Sequence, residues 1–160
     1  MAIAPTLQHL LDEQHAEFEI ISHPPTRSAM QTAKVSQIPP GRMAKAVLLD
    51  TDEDYLLAVL PADHRIRISD LKSELGRRPR LVGENELGRV FDDCETGAVP
   101  PLASGYGIST IIDDSLHSQP DVYFEAGDHE SLVHMNHDEF SRLTSRARHG
   151  HFSEPWSLIE

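Results

Sequence analysis

Cysteine is almost missing from this chain. Cys94 is the one cysteine in 160 residues. No internal disulfide is possible, and a reducing cytoplasm is the expected compartment. Long apolar runs are missing too. None approaches the roughly 18 residues a membrane helix needs. The start, MAIAPTLQHLLDEQ, has no basic region followed by an apolar stretch, so no secretory signal is expected. Positive charge is scarce: 14 Lys and Arg stand against 26 Asp and Glu, a formal net charge of −12. That balance argues against strong nonspecific nucleic-acid binding. There is no G-x-S-x-G, no Walker-type loop and no dinucleotide glycine motif. Internal repeats and low-complexity segments are also lacking.

The charge that is present is unevenly spread. Residues 1–80 hold 10 Lys and Arg against 11 Asp and Glu, and residues 81–160 hold 4 against 15. Within the first half, Arg65, Arg67, Lys72, Arg77, Arg78 and Arg80 face only Asp70 and Glu74. This local tract is either a place for a phosphate backbone or a solvated face. Hydrophobic content of 39% and charged content of 25% fit one soluble globular domain with a real core.

Periodicity predicts the elements. Leu7, Leu10 and Leu11 fall at helical spacing over 5–15, with Thr6 as a cap. FEIISH (18–23) reads as a strand, and Ser28 caps a helix to residue 37, ended by Pro39-Pro40-Gly41. MAKAVLLD (43–50) and YLLAVL (55–60) read as a hairpin covered on both faces. Arg65-Ile66-Arg67-Ile68 alternates as a strand end or edge. Ser69 caps DLKSEL, and Gly76 stops it. Short elements come next at 80–82 (strand) and 84–89 (helix). Strands are expected at 109–112, 121–125 and 131–135, then a helix from Asn136 to Leu143 with a capping box to Glu139. Residues 146–160 show little periodicity and read as a mobile or partner-bound tail. The fold expected is mixed α/β: one domain over 1–145, with a central, largely antiparallel mixed sheet flanked by helices.

Three places can carry chemistry. The first is VFDDCETGAVPPL (90–102). Gly97 frees the backbone, and Pro100-Pro101 stiffens the end of the loop. Such a loop either is an ordinary acidic turn or presents N–H groups to a carbonyl oxygen or anion. The second is Lys45, within a strand that has no polar face. It either snorkels to solvent or opens into a pocket as a point charge for an anion. The third is the turn Gly127-Asp128-His129. Asp128 suits a turn, and His129 is either a surface histidine or an orienting group for water or a hydroxyl. His129, His134 and His137, with Asp128 and Asp138, do not have the spacing of a helical zinc motif, so no metal is expected. The acidic neighbours of Cys94 disfavour a thiolate, which leaves it a structural thiol.

Taken together, KAVLL (45–49), VFDDCETGAVPPL (90–102) and AGDHESLVHM (126–135) resemble the YbaK/ProX-type aminoacyl-tRNA deacylase domain. That domain also occurs as an editing insertion in bacterial prolyl-tRNA synthetases. The similarity runs from about His23 to Leu143. It implies a metal-independent, cofactor-free hydrolase acting on the acylated 3′ end of a mischarged tRNA. By the resemblance, Lys45 holds the tRNA end, Gly97 and its neighbours Ala98, Val99, Pro100 and Pro101 meet the substrate, and His129 acts with them. Asp128 is placed with the substrate-binding residues. Thr32, Met43 and Val47 are the expected pocket walls. The His129 variant points to prolyl editing, with Ala-tRNA(Pro) favoured and Cys-tRNA(Pro) next. Leu102-Ala103 departs from the Leu-Gly of relatives, and the acidic surface suits a basic protein partner, such as a synthetase, that delivers tRNA. The competing readings are a non-catalytic module binding an aminoacyl-nucleotide ligand through a protein partner and, more weakly, a histidine metallohydrolase. A monomer or homodimer is expected.

Overall fold

The computed structural model describes residues 3–156. Its strands are β1 (Glu19–Ser22), β2 (Met43–Asp50), β3 (Tyr55–Pro61), β4 (His64–Ile66), β5 (Arg80–Leu81), β6 (Ser109–Asp113), β7 (Asp121–Glu125), β8 (Ser131–Asn136), β9 (Arg148–Gly150) and β10 (Ser153–Pro155). Its α-helices are α1 (Pro5–Glu13), α2 (Ala29–Val35), α3 (Ile68–Leu75), α4 (Glu84–Val90) and α5 (His137–Leu143). Eight strands form one sheet in the order β1-β8-β7-β2-β3-β6-β9, with β5 added to β2, and β10 pairs separately with β4.

The sheet is mixed and largely antiparallel, as expected. The pairs β1–β8, β7–β8, β2–β3 and β2–β5 are antiparallel, while β2–β7, β3–β6 and β6–β9 are parallel. Hairpins are readable from local turns. The parallel pairs join strands far apart in the chain, which no local pattern reports.

The β2–β3 hairpin is the spine. Its register runs from Ala44↔Pro61 to Asp50↔Tyr55, joined by residues 51–54. Alternate residues of β2 serve different sides. Ala44 and Leu48 belong to a large cluster with Leu57, Phe91, Phe124 and Phe140. Leu49 packs with Leu60, Leu71, Ile111 and Phe152, and Met43 packs with Ala33, Ile38 and Leu132. A strand clothed on both faces needs apolar residues at every position, as MAKAVLLD nearly has.

Two helix starts differ from expectation. Pro5 opens α1, and its Thr6 N–H, one of the orphan donors of a first turn, donates to Asp93 Oδ2 at 2.9 Å. The cap is thus supplied by the 90–102 loop, not by Thr6. Helix α3 begins at Ile68, ahead of Ser69, with no side-chain cap. Two expected caps are present: Ser28 accepts from Gln31 N–H at 3.2 Å and Asn136 from Glu139 N–H at 2.8 Å.

Residues 146–156 are not a loose tail. β9 extends the main sheet beside β6, and β10 pairs with β4. Phe152 is fully buried, and its N–H donates to Asp113 Oδ1 at 2.9 Å. One buried phenylalanine and two three-residue strands give too little periodicity to read from the sequence. No helix of the described residues is long and apolar enough to cross a membrane.

Candidate functional site: a cavity at a gap in the sheet

Strand β2 is paired with β3 along nearly its whole length, but its other edge is shared. β7 covers only Met43 and Ala44, and β5 only Leu49 and Asp50. Between them, residues 45–47 have no strand partner on that side among the described residues. A cavity of about 190 Å³ occupies the gap. Ala44, Lys45 and Ala46 form its strand side, Arg27, Ser28 and Ala29 the side of the α2 start, and Gly97 and Val99 the loop side. Glu125, the last residue of β7, completes it.

Lys45 and the proline-stiffened loop thus meet in one cavity. Lys45 is half-buried. Its Nζ donates to His64 O at 2.6 Å and to Ala62 O at 3.3 Å. Two carbonyls occupy two of three ammonium donors and leave one for a ligand. Burial holds its pKa below the ordinary lysine value, opposed by the nearby Asp63 carboxylate.

In the loop, Ala98 N–H is committed to Glu95 O at 3.0 Å. The N–H groups of Gly97 and Val99 make no hydrogen bond among the described residues. Gly97 is exposed, whereas Ala98, Val99, Pro100 and Pro101 are buried. Pro100 and Pro101 therefore brace the loop and do not line the cavity, and the same holds for Ala98. Gly97 has φ +86°, and a Cβ there would lie 2.9 Å from Arg27 O and 3.1 Å from His129 Cε1. Only glycine fits this crossing of three segments.

His129 stands behind Gly97 rather than in the cavity wall. It sits in the turn at φ 61°, with Nε2 against Thr96 O. Its Nδ1 is buried, has no hydrogen-bond partner among the described residues and lies 3.9 Å from Glu125 Oε2. Asp128 is a turn carboxylate. Its Oδ1 accepts from Glu130 N–H at 2.9 Å and Ser131 N–H at 2.8 Å, and its Oδ2 from the Ser131 hydroxyl at 3.1 Å. Burial alone would raise its pKa, but these donors outweigh it and hold the pKa below the usual value. The expected walls Thr32, Met43 and Val47 do not line the cavity. Met43 and Thr32 are fully buried behind it, and Val47 packs against the Leu49 cluster. Small residues, Ala29, Ala44 and Ala46, take their place.

The residue that sequence reasoning missed is Glu125. It is 3% exposed, yet it faces the cavity. His23 Nε2 meets its Oε1 at 3.0 Å, and the Thr32 hydroxyl meets its Oε2 at 2.7 Å. Thr32 is in turn 2.5 Å from the Thr26 hydroxyl. His23 Nδ1 faces Pro24 O at 2.8 Å, an atom that only accepts, so Nδ1 is the donor of that contact. A carboxylate directly after the apolar run Val122-Tyr123-Phe124 of β7 was the available signal.

Cys94 is inert. Burial, and after it Asp93 and Asp92, push its thiol up to about 12. A larger cleft of about 300 Å³ runs along Leu102–Ser104 and Leu143–Arg148, but no histidine, lysine or carboxylate lines it.

Residues 23–143 match the aminoacyl-tRNA editing domain. The chain is 24% identical over 140 residues to the multifunctional Ser/Thr-tRNA deacylase ProXp-y of Escherichia coli (strain K12), covering 84% of this chain and 83% of that one. It is 30% identical over 120 residues to the proline–tRNA ligase of Xylella fastidiosa (strain M12), covering 72% of this chain and 20% of the ligase. A solved structure described as a candidate trans-editing enzyme for prolyl tRNA synthetase superposes with TM-score 0.81 at 20% identity, over 96% of this chain and 99% of that one. The family match spans every element that builds the cavity, from the loop before α2 to the turn at His129, and the chain belongs to the aminoacyl-tRNA editing domain family.

Proposed function

We propose that the protein is a stand-alone trans-editing hydrolase that removes a small amino acid from mischarged tRNA, Ala-tRNA(Pro) foremost. The observation that carries this reading is the meeting of Lys45, Gly97, Val99 and Glu125 around one small cavity. The Lys45 ammonium takes the terminal phosphate of the tRNA 3′ end as a point charge. The ester carbonyl lies against the loop, where the unpaired N–H groups of Gly97 and Val99 receive the developing oxyanion. Water adds to the carbonyl carbon, and the ester C–O bond breaks. The ribose oxygen leaves with a proton, giving free amino acid and uncharged tRNA. No protein nucleophile is needed, because the ester is activated and the site supplies position and electrostatics. His129 is a positioning residue, packed against Gly97 and bonded to Thr96 O, and Asp128 fixes the turn that carries it.

Alanine walls at 29, 44 and 46 support a small side chain, although a methylene changes discrimination only modestly, by about 1–3 kcal/mol. A specific observation favours a second amino-acid class. Glu125 and Ser28 put hydroxyl-compatible groups on the cavity, which suits serine or threonine, the substrates in the name of the Escherichia coli relative. A deacylation panel of Ala-, Cys-, Ser-, Thr- and Pro-tRNA separates the two. Ala-tRNA(Pro) is expected to turn over fastest. Preference for Ser- or Thr-tRNA assigns the second class. Saturable binding of an aminoacyl-adenosine analogue with no turnover of any substrate makes the protein a binding module. A synthetase that presents the tRNA fits the acidic surface, and pull-down with prolyl-tRNA synthetase tests that partner.

A further inference from the structure

The histidines that gather in the fold are not those adjacent in sequence. His134 is taken up by Glu19 and, at 2.8 Å, by Asp121, while His137 Nδ1 lies 3.3 Å from Asp138. On another part of the surface, His117 Nε2 and His149 Nδ1 stand 2.7 Å apart, and one ligand atom from each of Asp114, His117 and His149 lies within 4.8 Å of the other two. All three side chains are exposed, and none lines the Lys45 cavity.

The geometry points to a binding site for a divalent transition-metal ion of the zinc class, formed by Asp114, His117 and His149. Each ligand type suits such an ion, and two imidazoles with one carboxylate make a common three-residue set. Two nitrogens bonded at about 2.0–2.1 Å to one tetrahedral ion stand about 3.4 Å apart. Here the pair needs to open by only a side-chain rotation. The His117–His149 contact also requires a lone pair on one ring facing the other, the electron pair that a metal takes. The fourth position is left to water. Magnesium and calcium prefer all-oxygen shells and do not suit two imidazoles.

The placement gives the ion a structural role. Asp114 and His117 lie on the single 3₁₀ segment Asp114–Ser118, and His149 is the central residue of β9. β9 is the last strand of the sheet order and holds to β6 through three residue pairs. An ion on this triad ties the edge strand to the turn that follows β6. The proposal stands independently of the deacylase reading.

The test is calorimetric titration of the chelator-treated, tag-free full chain with zinc chloride, with magnesium chloride as control. One equivalent of zinc is expected to bind, and magnesium none. Losing a direct ligand should weaken binding at least as much as losing an outer-shell partner does, about 10–100-fold. His117→Asn and His149→Gln should therefore both lose the site, while His9→Ala, at an unrelated exposed position, should retain it. Zinc in excess should raise the melting temperature of the wild type and of His9→Ala and leave the two ligand variants unmoved. Matching melting temperatures of all variants in chelator show that the fold is intact. If a ligand variant is destabilised there, X-ray absorption of the zinc-loaded wild type replaces it, and a shell without two imidazoles overturns the proposal. No stoichiometric binding, or equal affinity in wild type and both ligand variants, also overturns it.

Discussion

Lys45 shows how burial and charge pull against each other at one residue. Burial lowers its pKa, and the Asp63 carboxylate opposes that. The folded value lies below the unfolded one, so the folded state binds fewer protons in the window between them. Lys45 therefore disfavours folding while it is charged, and that penalty fades as pH rises from the folded value toward the ordinary lysine value. Phosphate binding runs the other way and is lost as pH rises through the folded value. Affinity for a non-hydrolysable aminoacyl-adenylate-type analogue should therefore fall at a lower pH than in Lys45→Arg, whose guanidinium stays charged. An identical alkaline limb in both proteins would contradict the assignment. Gly97 makes a sharper demand. Gly97→Ala places a Cβ 2.9 Å from Arg27 O at φ +86°. It should cost about 1–3 kcal/mol in denaturant unfolding and reduce turnover further by shifting the loop. An alanine variant with wild-type stability and rate would show that the crossing is loose. Both residues were legible in the sequence because each breaks a local rule: a lysine in an apolar strand, a glycine before paired prolines. Glu125 was not. Its significance comes from His23 and Thr32, 102 and 93 residues away in the chain. Glu125→Gln should alter the ratio of Ala- to Ser-tRNA turnover more than it alters stability, and an unchanged ratio would remove Glu125 from the selection of the amino acid.

The elements show where reading by periodicity works and where it stops. The hairpin of β2 and β3, the Ser28 and Asn136 caps and the three later strands arise from patterns within a few residues. The parallel neighbours of β2, β3 and β6 do not, and neither does the gap along β2, which exists because β7 and β5 each cover only two of its residues. The site was therefore legible as residues but not as a place. The segment after residue 146 escapes periodicity for a related reason. It is held by one buried aromatic side chain, by the short pairings of β9 with β6 and β10 with β4, and by hydrogen bonds such as that from Phe152 N–H to Asp113. Truncating a fully buried phenylalanine costs about 3–5 kcal/mol, so Phe152→Ala should lower stability by that amount. A chain ended after Arg146 should melt earlier still. Unchanged melting would mean that β9 and β10 merely rest on the domain. Asp113 adds a pH signature. Burial would raise its carboxyl, but donors from Ser115 and from Phe152 N–H outweigh this and hold it below the usual value. That stability is present above the unfolded pKa and is lost as pH falls through the folded value. Asp113→Asn, which removes the titrating carboxyl, should weaken this acid-side loss, measured by melting at stepped pH.

Across the whole molecule, charge sets how the protein meets tRNA. The basic tract of residues 65–80 is largely spoken for: Arg65 pairs with Glu154, Arg67 with Asp70, Arg77 with Glu53 and Arg80 with Asp50. With a net charge of −12, few cations remain for phosphates. Each phosphate neutralised on a single strand contributes about −0.7 to the slope of log affinity against log salt. A shallow slope, of about one to two contacts, is expected for the acylated 3′ end, and a steep one would reveal a basic surface not identified in the fold. Under the proposed function, recognition then rests on the cavity. The most direct measurement is single-turnover hydrolysis of Ala-tRNA(Pro) by the wild type and by Lys45→Ala, with melting curves to confirm that both are folded. We predict hydrolysis well above the uncatalysed rate for the wild type and none above it for Lys45→Ala. Equal rates in the two folded proteins would contradict a site built on Lys45 and the Gly97 loop.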